Sequence, residues 1–282
     1  PPLTLKGIAH PVIGYRVMGL KAKPESVRGL EGLRAPMIGR DAELARLRQA
    51  YAALVERQEG QIVAVSGEAG LGKSRLTAEF KASISAAAVR ILEGQSLTYR
   101  RSVSYWIFLD VLRGFLGVTP DTPEPKVRER LRLNISNLLG PAAAEVLPYL
   151  EQLFSLAPSD PAAAERLRYL APGQLRQQIF LAVRDVLVAE ARRQPLMVIL
   201  DDLHWADETS LELLLFLLDS VRDAPLLLYA ISRSFQEGTL AKIVERAQQR
   251  LADRFTTIHL QSLSPDQSQQ LLFELLAIPD LP

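Results

Sequence analysis

Cysteine is absent from the 282 residues, which removes disulfides, thiolate metal sites and cysteine nucleophiles and fits a reducing compartment. An excess of one charge is missing as well. The 33 Lys and Arg stand against 32 Asp and Glu, for a net charge of +1, so the simplest electrostatic grip on nucleic acid or an anionic membrane is not available. No apolar run reaches the roughly 18 residues of a membrane span. The longest, at Leu213–Leu218 and Pro225–Ile231, are core-sized, and a soluble, cytoplasmic protein is expected. There is no signal-peptide pattern, no repeat of solenoid length and no low-complexity tract. The chain opens on Pro1-Pro2 and stops at "AIPDLP", and is read as a piece of a longer protein.

Apolar residues, by contrast, make up 48% of the chain, enough for the core of one large domain or two modest ones. "LTLKGIAHPVIGYRVMGL" alternates around Pro11 and predicts one or two short strands, followed by a charged, Pro- and Gly-containing linker that ends near Pro36. In "DAELARLRQAYAALVERQ", Leu44, Leu47, Tyr51 and Leu54 recur at helical spacing, with Asp41 as the expected N-cap. A strand "QIVAVSG", a glycine-rich loop, a helix "KSRLTAEFKASISAAA" and a strand "VRILEGQS" come next. Between about Tyr99 and Leu170 the pattern is helical but broken by proline- and alanine-rich stretches, and reads as an insertion. A long amphipathic helix then leads to "PLMVILDD" and later "PLLLYAISR", fully apolar runs of the kind buried in a parallel sheet. Strands alternating with helices predict a doubly wound α/β sheet. Ser264, Pro265 and Gln267 spell the N-cap, first residue and capping box of a last helix.

The stretch "VAVSGEAGLGKSRL" carries the chemistry. Gly67, Gly70 and Gly72 let consecutive backbone N–H groups face inward ahead of a helix N-terminus, a concavity suited to phosphate oxygens. The spacing Gly67-x-x-x-x-Gly72-Lys73-Ser74 fits the P-loop pattern, with Lys73 directed at the β and γ phosphates and the Ser74 hydroxyl at magnesium. Gly67, Glu68, Ala69, Gly70, Leu71, Gly72, Lys73, Ser74 and Arg75 are therefore the expected nucleotide-binding run. Such a loop needs acids facing it. Leu196–Leu200 is expected to form the adjacent buried strand, delivering Asp201 to magnesium and Asp202 to the attacking water. Of the residues that follow, His204 reads more readily as packed beside Trp205 than as a catalyst, and Asp207 as the cap of the next helix. Arg233 closes a third parallel strand, where it either senses the γ-phosphate or is an ordinary surface arginine.

Taken in order, "MIGRDAELARL", "GEAGLGKSRL", "ILDDLHWAD", "AISR" and "HLQSLSPDQSQQLL" resemble the STAND-type AAA-like signalling ATPases of large bacterial regulators, over roughly Pro36 to Leu276. The resemblance implies a P-loop NTPase sheet with helices on both faces, ATP or ADP with Mg2+ as ligands, and Ile38, Gly39 and Arg40 against the adenine. It also implies Lys73 and Ser74 on phosphate and metal, and Asp201 and Asp202 at the hydrolytic centre. The third strand in that family usually ends Thr-x-Arg; here Ile231 stands in the threonine's place and Arg233 is kept. A shorter stretch, "LKGIAHPVIGYRV", looks like the tail that follows class III nucleotide cyclase domains. The implied organisation is a cyclase-type tail at 1–18, a linker at 19–35, a P-loop ATPase domain at 36–258 with a helical insertion at about 99–170, and the start of a helical lid at 259–282.

These observations favour an ATP-binding switch with slow hydrolysis, acting on flanking domains of its own chain and self-associating, with Arg100 and Arg101 as possible donors to a neighbour's site. The rivals are a nucleotide-sensing scaffold that never turns ATP over, a P-loop small-molecule kinase, and a nucleic-acid loader, against which the balanced charge argues.

Overall fold

The computed structural model describes residues 2–3, 12–13, 36–85, 87–98 and 103–276. The chain divides into two units, Pro1–Leu33 and Arg34–Pro282. In the first, β1 (Pro2–Leu3) and β2 (Val12–Ile13) pair antiparallel, Pro2 opposite Ile13. The expected linker and Arg100 and Arg101 lie outside the described residues.

The second unit opens with α1 (Asp41–Glu56), β3 (Gln61–Ser66), α2 (Lys73–Ala82) and β4 (Arg90–Gln95). The predicted insertion is helical: α3 (Trp106–Leu116), α4 (Glu124–Leu139), α5 (Ala143–Leu153) and α6 (Pro161–Arg168). Then come α7 (Pro172–Arg193), β5 (Leu196–Asp201), α8 (Glu208–Leu217), β6 (Leu226–Ser232), α9 (Gly238–Arg250), β7 (Phe255–His259) and α10 (Pro265–Leu276). Asp41 begins α1 instead of capping it. The N-cap is Arg40, whose side chain makes no capping bond, because a guanidinium has donors only and cannot accept from the helix's first N–H groups.

The strands form one five-stranded sheet, in the order β4-β5-β6-β3-β7, with every neighbouring pair parallel. Strand order corrects one expectation. β5 is not adjacent to β3, because β6 lies between them, pairing Val63 with Tyr229 on one side and Ile199 with Tyr229 on the other. The continuous apolar runs are the inner strands, and β6 is buried along its whole length, as the middle strand of a parallel sheet must be.

Side-chain alternation divides the core between the two faces. Leu226, Leu228 and Ala230 of β6 join a large cluster with α3, α7 and α8. Leu227, Tyr229 and Ile231 face the other way, toward Leu47 and Leu54 of α1 and Leu76 and Phe80 of α2. The edge strand β7 escaped the sequence reading because Ile258 is its one buried residue, which leaves no apolar run to see.

Helix α3 lies so close on β4 that a Cβ at Gly94 would sit 2.3 Å from the Ile107 carbonyl oxygen. Gly94→Ala is expected to destabilise the fold by about 1–3 kcal/mol through overpacking against backbone, measurable by urea denaturation.

Candidate functional site

Strand β3 ends at Ser66 and releases the chain into the glycine loop. Gly70 and Gly72 have φ of +88° and +90°, and a Cβ at either would meet nothing within 4 Å. Backbone conformation, not crowding, therefore calls for glycine, and the space above the loop is open. Gly72 is the N-cap of α2, so the loop's amides and the positive end of the helix converge on this space.

Lys73 crosses the loop: its Nζ donates to the carbonyl oxygens of Gly67 at 2.6 Å and Glu68 at 2.9 Å. Burial pulls its pKa below the ordinary 10.5, and the carboxylates of Asp202 and Asp201 only partly oppose this, while Arg233 adds to it. The ammonium is thus under-compensated, a condition that an arriving anion relieves. The first turn of α2 is tied to the sheet, since Thr77 Oγ1 donates to the Lys73 carbonyl at 3.0 Å and lies 3.1 Å from the Tyr229 hydroxyl. Burial pushes the Tyr229 pKa well up, so this hydroxyl keeps its proton. Ser74 is exposed beside the loop. Arg75, expected among the nucleotide-binding residues, pairs with Glu79 along α2 at 2.6 Å.

The acidic half hangs from β5. Asp201 continues the Met197 and Ile199 row, the face that carries α2. Asp202 has left-handed backbone, φ +58°, a sparsely populated conformation for a residue with a side chain and one found often at functional sites; its N–H donates to Asp201 Oδ1 at 2.8 Å. Sequence reasoning missed Gln95. In register with Asp201 at the end of β4, it directs its Nε2 to Asp202 Oδ2 at 3.4 Å. A glutamine at a strand end carries no signal until the neighbouring strand is known. Gln95→Leu is expected to slow phosphate release several-fold while leaving ATP affinity unchanged, since it frees the Asp202 carboxylate without touching the loop; single-turnover phosphate release checks this.

His204 packs against Trp205, ring centroids 5.1 Å apart, with its Nε2 4.0 Å from Asp202 Oδ1. The Arg233 guanidinium lies 5.7 Å from the Trp205 ring centre, a cation–π distance. Asp207 does more than the predicted cap. It accepts from Ser210 N at 2.9 Å at the start of α8, and also from the backbone N–H groups of Tyr105 and Trp106 at the start of α3. One buried carboxylate thus joins the insertion to the segment following the acids.

Ile38 and Gly39 are half-buried. Arg40, expected against the adenine, is 8% exposed, and its Nη2 donates to the carbonyl oxygens of Leu71 and Gln261. A guanidinium so far from water needs such acceptors.

The donors suit a magnesium nucleotide. The Ser74 hydroxyl and Asp201 carboxylate are hard oxygen ligands, and Mg2+ takes one or two protein groups, completing its shell with phosphate and water. Ser74 and Asp201 would hold the ion, which when bound neutralises charge developing on the phosphates. The loop amides and Lys73 would orient the phosphates, and the Asp202 carboxylate would be the group to accept a proton from water.

Comparisons with known proteins agree with this geometry. A family model described as an AAA ATPase domain matches residues 36–229. An uncharacterized protein of Rhizobium meliloti, R02095, is 28% identical over 241 residues, covering 81% of this chain and 22% of that protein. The chain therefore spans only a fraction of that relative's length. Among solved structures, the Drosophila origin recognition complex bound to DNA superimposes with a TM-score of 0.50 at 14% identity, over 96% of this chain and 56% of the other. The Aeropyrum pernix ORC1 protein in complex with DNA gives a TM-score of 0.44 at 12% identity, over 87% and 51% of the respective chains. With more than half its length matched to the family and the parallel sheet, phosphate loop and facing acids in place, the chain belongs to the AAA ATPase domain family.

Proposed function

We propose that this domain is a STAND-type switch that binds ATP or ADP with Mg2+, hydrolyses ATP slowly, and passes the state of its site to the lid helix α10 and to flanking domains of a larger signalling protein. The observation that carries this reading is the convergence of an open glycine loop, an under-compensated Lys73 and the carboxylates of Asp201 and Asp202. The lid fits the same reading: Ser264 and Gln267 form the anticipated capping box, Ser264 N donating to Gln267 Oε1 at 2.9 Å and Gln267 N to Ser264 Oγ at 3.2 Å. In this reading Asp202 is the general base, Arg233 leaves Trp205 to meet the γ-phosphate, and Ile38 and Gly39 flank the adenine. The parent protein is read as a cytoplasmic cyclase or transcriptional-regulator fusion, from the resemblance of residues 1–18 to a cyclase tail. Nucleotide-dependent self-association belongs to the same reading. Among the described residues, no helix is long and apolar enough to cross a membrane.

One observation favours a second reading, a nucleotide-sensing scaffold without turnover. Ile231, in the position where the family usually has threonine, is 1% exposed and packed in the core, so no hydroxyl is offered there. Phosphate release from the purified domain with Mg-ATP decides between the two. Steady release at a rate proportional to enzyme supports the switch. Tight ATP binding with no release above background supports the scaffold, and no binding at all removes both. The DNA seen with the origin recognition structures is not expected here, because the net charge of +1 supplies little of the phosphate neutralisation on which DNA affinity rests.

A further inference from the structure

Arg40 and Gly39 sit where three separate parts of the site meet. The Arg40 Nη2 reaches the carbonyl oxygen of Leu71, inside the phosphate loop, at 3.2 Å, and that of Gln261, in the segment joining β7 to α10, at 2.6 Å. Its Nη1 is held by Glu43 Oε1 at 3.1 Å on the first turn of α1. The two main-chain acceptors are 190 positions apart and share the one nitrogen Nη2, while Nη1 is anchored to Glu43; lysine, a point donor on a flexible stem, cannot reproduce this two-pronged arrangement. Gly39 completes the contact. With φ of +67°, it presses on the first turn of α10, where an added Cβ would lie 2.5 Å from Gln267 Cδ. That glutamine also closes the capping box of α10, so the helix start is bound to Gly39 while its approach segment is bound to Arg40.

We infer that Arg40 is a positioning residue, a strut that fixes the phosphate loop relative to the lid helix, so that the loop's grip on phosphate and the seating of α10 change together. Resting on the nucleotide-binding reading above, it names how that site is regulated. It also differs from an adenine contact in what it predicts. A residue touching the base discriminates between bases, whereas a strut behind the loop affects every nucleotide alike. Coupling of this kind requires both ends to respond to one bound state, and the shared guanidinium is the physical link.

The test uses the wild type, Arg40→Gln and Arg40→Lys, with ATP, ADP and GTP in the presence of Mg2+. Affinities come from calorimetry, and amide hydrogen exchange is followed at residues 69–74 and 261–268. In the wild type, ATP is expected to protect both segments. Arg40→Gln is expected to weaken ATP and ADP binding by about tenfold, from two main-chain carbonyls losing a charged donor, with the ATP-to-GTP ratio unchanged. At saturating ATP its residues 69–74 remain protected and 261–268 do not. Arg40→Lys is expected to recover part of the affinity but not the protection of 261–268, and it serves as the test if Arg40→Gln fails to fold. A fall in the ATP-to-GTP ratio, or full protection of 261–268 in both variants, overturns the strut. Absence of protection at 69–74 in the wild type instead defeats the nucleotide site itself, so the two failures are told apart.

Discussion

Lys73→Ala is expected to weaken Mg-ATP binding by about a hundredfold or more, the consequence of removing two or more charge-assisted contacts worth about 1.5–3 kcal/mol each. The more discriminating measurement is the melting temperature without nucleotide. Burial lowers the Lys73 pKa, so the folded protein holds this proton less well than the unfolded chain. The charged lysine therefore costs stability at every pH below its folded pKa, and that cost disappears only as pH rises through the ordinary value of 10.5. Near neutrality the cost is fully present, so nucleotide-free Lys73→Ala should melt no lower than the wild type, apart from the lost contacts to Gly67 and Glu68. A variant that binds ATP normally would remove the loop from the proposed function. One that melts far below the wild type would mean that Lys73 is a structural brace.

Asp202→Asn is expected to do the reverse. Affinity should stay near that of the wild type, because Asp202 is assigned no phosphate and no first contact with the metal, while turnover falls by about a hundred- to ten-thousandfold with loss of the group that takes the proton from water. Asparagine keeps an oxygen for Gln95 Nε2 and the same size on the left-handed turn, so the geometry is preserved and the basicity is not. Pre-steady-state phosphate release measures the rate, and calorimetry the affinity. Weakened binding with unchanged turnover would move the role of Asp202 from chemistry to anchoring.

Much of this site could be read before any fold was known, and the physical reasons are specific. The phosphate loop is local: glycines, lysine and serine act within a few residues, so spacing alone carries them. The inner strands were visible because burial on both faces demands unbroken apolar runs, as in Leu196–Leu200 and Leu226–Ile231. The capping box of α10 and the cap Asp207 were visible for the same local reason. What could not be read depends on neighbours distant in sequence. Nothing in β6 announces that it sits between β3 and β5, since parallel pairing is decided by packing across the whole sheet. Gln95 acquires its meaning only from Asp202, and Arg40 from carbonyl groups that have no side-chain identity at all. The edge strand β7 and the helix α9 went unread because each offers few apolar positions, only Leu240, Ile243 and Ala247 of α9 being buried beside Thr239.

The placement of β6 has a further consequence. Neighbouring strands lie about 4.8 Å apart, so the strand ends bearing the loop and the acids are held two such spacings, about 10 Å, from one another. In the proposed function, a nucleotide laid across the end of β6 would be the bridge between the two banks, its phosphates toward the loop and its metal toward the acids. The central strand would then set the span that such a bridge has to cover, since the order β5-β6-β3 fixes how far apart the two strand ends stand.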